Sequence, residues 1–534
     1  MSGNPQPVDK VELLQADDRR RMPVWDVCVY GGTASGVVAA IAAAREGCRV
    51  VLVEPSRWLG GMTGGGLSHI DWGREEAVGG STRQILRDGR NDVEYRLAFA
   101  RLVEEHAICV LYEHRLSSVR SETARLQEIE LDHAPPDGVG CPAAAPVKPS
   151  AVRIAARVFI DCSYEGDLMA QAGVSHTIGR ESIDTYGESL AGVRPNLAVY
   201  AIDPYNKPGE PHSGLLPLLQ DRTMGPPGSA DTLTMAYGFR WKFSRGDDRL
   251  PIDRPEEYDP HAFELYRRGF HGGVPIATGR RMRTLGVYEP EHSVMFRIGS
   301  GNLSRCLLAP TVFGCNSDYP GGDWATRSRI WKFSQEFLRG ILHFLRTDDS
   351  IPTPLRQEAQ TIGFQPGIFD DTAGWPHQLY VREARRMRSD YVITQKDLEG
   401  LTGPDDSVGL ASYGVDDWPY ATFPLDGQVA LSGGEFSILY LDHHHKGIYR
   451  IPYRSITPLE RECDNLLVPV CCSASHIAMT SLRMEPVWMI LGESAGVAAA
   501  LAIAADVAVQ QVEYDRLCRK LLAVGQVLEP PLIQ

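Results

Sequence analysis

No pair of cysteines in C-x-x-C or C-x4-C spacing follows the glycine clusters of this chain, which disfavours a dithiol–disulfide reductase. The eleven cysteines are odd in number. Cys28, Cys48 and Cys162 fall inside apolar strand patterns, where buried reduced thiols are expected. The adjacent pair Cys471-Cys472 could form only a strained disulfide. No run approaches the length of a membrane-spanning helix. Positive charge is in deficit, with 54 Lys and Arg against 68 Asp and Glu and a net charge of −14. That balance argues against nucleic acid or an anionic membrane surface as the main partner. No internal repeat is evident. Arg19-Arg20-Arg21 hints at an export signal, but a buried-strand pattern follows it instead of a removable apolar stretch, so a solvated basic run and a cytoplasmic location are expected.

What is present begins at Val24. The run Val24 to Tyr30 reads as a buried strand and leads into Gly31-Gly32-Thr33-Ala34-Ser35-Gly36. An Ala-rich helix over Val37 to Glu46 follows, Gly47 stops it, and Arg49 to Val53 forms a second strand ending on Glu54. Glu54 lies eighteen residues beyond Gly36. This is the pattern of a βαβ dinucleotide unit, in which a pyrophosphate sits on the helix N-terminus and the acid takes ribose hydroxyls. Thr33 replaces the middle glycine, so it must hydrogen-bond a phosphate or shift the turn. A second cluster, Leu59-Gly60-Gly61-Met62-Thr63-Gly64-Gly65-Gly66, suits a large cofactor lying along the backbone. No second fingerprint appears, so a separate nicotinamide domain is not expected.

Further on, Arg96–Ala107 reads as a helix, and Ile108–Leu111, Leu126–Leu131 and Val152–Ile160 as strands of a β-meander crossover. A Pro- and Gly-rich loop over 133–149 interrupts them. Tyr164-Glu165-Gly166-Asp167 opens another helix. Residues 185–440 lose the βαβ alternation and read as an inserted domain, with helices expected at Arg327–Leu345 and Gln378–Thr394. Asp464–Val470 returns to a strand, and a long Ala-rich helix runs from Glu485 to about Ala504, with Pro486 in its first turn. The segments are therefore 1–22 as a flexible extension, 23–184 and 441–534 as two parts of a cofactor domain, and 185–440 as a substrate or cap domain.

Four motifs in order carry a resemblance: Tyr30-Gly31-Gly32-Thr33-Ala34-Ser35-Gly36, Gly60-Gly61-Met62-Thr63, Ser473-Ala474-Ser475-His476 and Arg483-Met484-Glu485-Pro486. With Ile160–Leu168 and Leu379–Met387, they resemble a bacterial family of FAD-dependent oxidoreductases over about residues 24 to 520. The resemblance implies an α/β fold, with a glutathione-reductase-like Rossmann FAD-binding domain carrying a β-meander and an inserted α+β substrate or cap domain. It implies FAD, held non-covalently by Gly31, Gly32, Thr33, Ala34, Ser35 and Gly36 at the pyrophosphate and by Glu54 and Pro55 at the adenosine ribose. Gly60, Gly61, Met62, Thr63 and Gly65 would follow the ribityl chain, backbone groups of Leu116 would hold adenine, and Asp161 would lie beneath the pyrophosphate. Met484 and Glu485 would bring a helix N-terminus to the flavin, where Arg483 would stabilise negative charge.

The chemistry expected is hydride removal from a small polar organic substrate, with an external acceptor reoxidising the flavin. A neutral His476 is the candidate base; a buried histidine satisfied by backbone is the alternative. Arg382, Arg385 and Arg386 would share one helix face and grip a carboxylate or phosphate, or else form a solvated face. His69 would contact substrate or attach the flavin covalently. Glu485 would pair with Arg483, serve as a first-turn charge or act in catalysis. Asp442-His443-His444-His445 is expected as a surface turn and not a metal site, since alternate strand residues face opposite ways. A flavin-dependent lyase or isomerase and a non-catalytic electron-transfer subunit are the alternatives, and the oligomeric state, a homo-oligomer included, stays open.

Overall fold

The computed structural model describes residues 24–531 except 68, 88, 195–196, 275–284, 289–293, 299–306, 434–435 and 438–446, with backbone alone for 285–288, 294–298 and 436–437. The expectations for residues 1–22 and for Asp442 to His445 lie outside the described residues.

The nucleus of the fold is β1 (Trp25–Tyr30), α1 (Ala34–Arg45) and β2 (Val50–Glu54). Val27 to Tyr30 and Val50 to Val53 are buried, as strands covered on both faces must be. β1 pairs in parallel with β2 on one side and with β6 (Lys148–Asp161) on the other, and β2 pairs in parallel with β3 (Cys109–Tyr112). β7 (Leu466–Leu467), far shorter than the expected 464–470 strand, adds to β6 in parallel. β6 is long enough to serve twice. Its C-terminal half belongs to the parallel sheet, and its N-terminal half pairs antiparallel with β5 (Arg125–His133), which pairs antiparallel with β4 (His114–Glu122). The mixed sheet has the order β3-β2-β1-β6-β5-β4, with β7 on β6. The meander is thus β4-β5-β6; the run at 108–111 expected to start it is instead a parallel strand of the main sheet. This is a mixed α/β architecture of Rossmann type.

Helix α2 (Asp92–Glu105) and helix α3 (Trp324–Thr347) fall close to expectation. The 378–394 helix does not form. Those residues are extended, with only Arg386–Met387 in a strand, against His176–Thr177. Their amides bond distant partners: Tyr380 donates to the Gly238 carbonyl, Met387 to Cys471 and Ile393 to Ser473. Tertiary pairing overrides the helical propensity of the Arg/Glu/Ala-rich composition.

Helix α4 (Glu485–Ala505) corrects another expectation. Its 21 residues have a mean hydropathy of 1.8 in the richest window, enough by length and composition to cross a membrane, and 89% of that window is buried inside the protein. It packs along α1 through Gly492 and Gly496, and the Ser35 hydroxyl donates to the Trp488 carbonyl at 2.6 Å.

Candidate active site

The β1–α1 turn is built for close backbone approach. Gly31 has φ +95°, and a Cβ there would lie 2.7 Å from the Ser163 amide nitrogen. Thr33 caps α1: its hydroxyl accepts from the Gly36 amide at 3.2 Å and donates to the Cys162 carbonyl at 2.9 Å. Its side chain is spent on protein partners, and the first amides of α1, those of Ala34 and Ser35, are left without an intrahelical acceptor. Glu54 is buried. Its Oε2 accepts from the Gly32 amide and its Oε1 from the Ser56 amide, both at 2.7 Å, and burial raises its carboxyl above the ordinary value despite those bonds.

Gly31, Thr33, Glu54, Pro55 and Gly61 line one narrow cleft with Tyr164 and His377. The glycines of the 60–66 loop, expected to clear space for a cofactor, are also hemmed in by protein. A Cβ on Gly60 would meet Phe99 at 2.5 Å, on Gly61 the Tyr164 hydroxyl at 2.3 Å, on Gly65 Gln378 at 2.6 Å and on Gly66 Pro376 at 2.5 Å. Glu485, at the start of α4, ties this loop down. Its carboxylate accepts from the Thr63 hydroxyl at 2.6 Å and from the Tyr164 hydroxyl at 2.8 Å, and burial raises it to about 7. It makes no pair with Arg483.

Two buried polar networks draw on the segments 380–386 and 416–420, and neighbouring residues of each segment fall in different networks. Arg382, Asp416 and Trp418 belong to one, and Glu383 and Asp417 to the other. In the first, Arg483 donates to Asp416 Oδ2 at 2.7 Å and to the Tyr380 hydroxyl at 3.0 Å. Arg382 donates to the Ala236 carbonyl and lies 4.3 Å from the ring centres of both Tyr380 and Trp418; Arg240 covers Tyr380 at 4.6 Å. A cavity of about 300 Å³, lined by His69 to Gly73 and Ser412 to Asp416, reaches this network at Asp416.

In the second network, His476 Nδ1 is 2.8 Å from Glu383 Oε2 and Nε2 is 2.6 Å from the Tyr420 oxygen. Tyr420 donates its only proton to Asp417. Its oxygen therefore accepts from Nε2–H, and both ring nitrogens carry protons. Burial pushes the imidazole down, but the Glu383 and Asp417 carboxylates outweigh it and raise it to about 9. Arg386 closes the network by pairing with Glu181 at 2.7 Å and Glu383 at 3.4 Å.

A model of FAD dependent oxidoreductases matches residues 26–521. The chain belongs to that family. It is an oxidoreductase that uses FAD, a flavoprotein. No curated protein matches it. Solved structures similar to it include THI4 of Thermovibrio ammonificans (20% identity, 29% of this chain and 66% of that one, TM-score 0.22). A 3-ketosteroid-delta4-(5alpha)-dehydrogenase of Rhodococcus jostii RHA1 matches at 13% identity, over 30% and 50% of the two chains, with TM-score 0.21. The FAD complex of a Bacillus halodurans glycerol-3-phosphate dehydrogenase matches at 12% identity, over 31% and 41%, with TM-score 0.21. The chain spans less than two thirds of the length of each, and likenesses this local carry no argument about its chemistry.

The residues present fit the anion-binding end of FAD: a glycine turn, free first-turn amides and a buried acid at the end of β2. Several expectations for this flavoprotein change. The Leu116 amide already donates to the Tyr30 hydroxyl and its carbonyl accepts from Trp324, so its backbone groups are engaged. The Asp161 carboxylate accepts from the Ser163 amide and hydroxyl and from the Met169 amide. The arginines that a helix would have aligned diverge: Arg385 pairs with Asp167 at 2.9 Å beside the cleft, Arg386 enters the His476 network, and Arg382 joins Arg483. The neutral histidine expected at 476 is replaced by one held between two carboxylates. His69, with 67% of its side chain exposed, lies 3.8 Å from Asp71 at the cavity mouth. Among the described residues no group of three His, Cys, Asp or Glu could hold a metal ion.

Sequence reasoning assigned no site role to Tyr380 and Tyr164 and passed over Asp416 and Trp418. The signal was present in the run Asp416-Asp417-Trp418-Pro419-Tyr420, where acids and aromatics crowd an otherwise apolar stretch.

Proposed function

We propose that this flavoprotein is a dehydrogenase or oxidase of glutathione-reductase-like fold that removes a hydride from a small polar organic substrate at a C–H bond next to oxygen or nitrogen. Residues 23–184 and 441–534 form its cofactor domain and 185–440 its substrate or cap domain, working in the cytoplasm. FAD held in the cofactor domain would supply the hydride acceptor, to be reoxidised by an external acceptor. The first-turn amides of α1 hold the pyrophosphate, with Gly31 and Gly32 leaving room for its close approach, Glu54 holds the ribose, and Gly60 to Thr63 with Gly65 the chain between pyrophosphate and ring. Met484 and Glu485 present the positive end of α4.

The observation that supports this most is the buried pair of Arg483, two residues before α4, with Asp416, which lines a cavity. They bind and orient a substrate there. His476 is a positioning residue in this reading. Only after losing a ring proton could it act as a base, and its bonds to Glu383 and Tyr420 hold the segments that carry Arg382 and Asp416. Anaerobic addition of alcohols, amines, sugars and organic acids to the FAD-loaded protein tests the reading: one class bleaches the flavin absorbance, and oxygen or a quinone restores it. Bleaching that recovers with no acceptor present would point instead to a lyase or isomerase, and no bleaching by any class would refute the reading.

A further inference from the structure

Two buried guanidiniums in the first network share a single carboxylate. Arg382 and Arg483 are each 3% exposed, yet among the described residues only Asp416 pairs with either. Burial, with Arg483 and Arg240 beside it, holds the Arg382 guanidinium well below its ordinary range. Three atoms in the same network have no partner: the donors Arg483 Nε and Trp418 Nε1, and the acceptor Asp416 Oδ1. Buried polar groups without partners are rare in folded proteins and ask for an explanation. A ligand that satisfies this set needs acceptor oxygens with negative charge for the arginines and the indole, and a donor for Asp416.

We infer that the substrate is a 2-hydroxy or 2-amino carboxylate, its carboxylate held by Arg382 and Arg483 and its hydroxyl or ammonium group donating to Asp416 Oδ1. This rests on the oxidoreductase reading above and gives it a substrate class. A planar guanidinium recognises a carboxylate through two parallel hydrogen bonds, and the rings of Tyr380 and Trp418, each with its centre 4.3 Å away, hold Arg382 in place. Asp416 is the member of this network that lines the cavity of about 300 Å³, whose other walls are His69 to Gly73 and Ser412 to Val415, and that volume suits a small organic acid. Oxidation of such an acid breaks its C2–H bond and its O–H or N–H bond. The hydride carries the electron pair to FAD, the proton goes to water, and a 2-oxo or 2-imino acid remains.

The test is calorimetric titration of the FAD-loaded protein with lactate, alanine, propionate and propan-1-ol. The acids bind and propan-1-ol does not, and lactate and alanine bind more tightly than propionate because they also satisfy Asp416. Arg382→Lys keeps the charge but loses the fork, and weakens the acids by about 10- to 100-fold. Trp418→Phe keeps the packing and weakens them several-fold. Equal binding of propan-1-ol and propionate, or unchanged acid binding in Arg382→Lys, overturns the inference. Loss of FAD affinity in place of acid affinity also overturns it, since the arginine would then hold the cofactor. Acids that bind through Arg382 without bleaching the flavin would leave the site standing and refute the oxidoreductase reading. Bleaching by neutral alcohols alone would do the reverse.

Discussion

Alanine at Gly492 and at Gly496 separates the stability of the α1–α4 contact from its role at the cofactor. An added Cβ lies 2.3 Å from the Ser35 carbonyl oxygen at the first position and 2.3 Å from the Ala39 carbonyl oxygen at the second. Both obstacles are backbone, which cannot rotate away. Reaching ordinary contact at 3.4 Å requires the helices to part by about 1 Å in either variant. Overpacking of this kind costs about 3 kcal/mol. The gain in helix propensity on replacing glycine returns about 1 kcal/mol, leaving a loss of about 2 kcal/mol in each. Denaturant unfolding followed by circular dichroism reads that loss. The two differ at the cofactor. Ser35 is in the first turn of α1, where the proposed function puts the pyrophosphate, while Ala39 is about 6 Å further along the helix. A 1 Å retreat of the first turn weakens charge-assisted bonds that contribute about 1.5 to 3 kcal/mol, or roughly 10- to 100-fold in FAD affinity. Gly492→Ala therefore loses stability and FAD together, and Gly496→Ala loses stability alone. Equal FAD affinities in the two variants would refute the placement of the pyrophosphate on α1.

Glu485 gives a pH signature. Its folded value of about 7 stands above the ordinary 4.5, so the folded state prefers the protonated carboxyl. That contribution is full below 4.5 and is lost as pH rises through about 7, amounting to about 3 kcal/mol at 1.36 kcal/mol per pKa unit. Glu485→Gln removes the dependence, and stability curves from pH 4.5 to 8 that keep the wild-type slope in this variant would contradict the assignment. Thr33→Val loses the α1 cap and the bond to the Cys162 carbonyl, about 2 to 3 kcal/mol of stability by denaturation, whereas Thr33→Ser retains both. Asp167→Asn leaves the buried Arg327, now bonded at 2.5 and 2.7 Å to that carboxylate, without its counter-charge. A loss of about 3 to 5 kcal/mol in unfolding free energy is expected, and less than 1 kcal/mol would show that the pair is solvated.

The cofactor unit was legible from residues 24 to 54 because each signal there is local: a buried apolar strand, a glycine turn, an Ala-rich helix and an acid at the next strand's end. Helix α4 was legible for the same reason, although its burial in the core could not be read from an apolar composition that also suits a membrane. The segment 378–394 was misread because its helix-forming composition is overridden by amide partners at Gly238, Cys471 and Ser473, which are remote in sequence. Strand β4 was missed because its second half is exposed and polar, without the alternation that marks a half-buried strand. The glycines at 60–66 were singled out as room for a cofactor, but their spacing could not show that Phe99, Tyr164, Pro376 and Gln378 press on them. The site divides in the same way. His476, Arg483 and Glu485 sit in motifs, but their partners Glu383, Asp416 and Thr63 come from elsewhere in the chain, and the partners decide the chemistry. A histidine read alone is a neutral base; between Glu383 and Asp417 it carries a proton.

The most direct test of the account is titration of FAD into the purified protein, read by absorbance and by the flavin released on acid precipitation. The account predicts stoichiometric FAD that passes into the supernatant. A protein that takes up no FAD would contradict it at its centre, and colour retained in the pellet would contradict non-covalent binding and point to His69 as the attachment site.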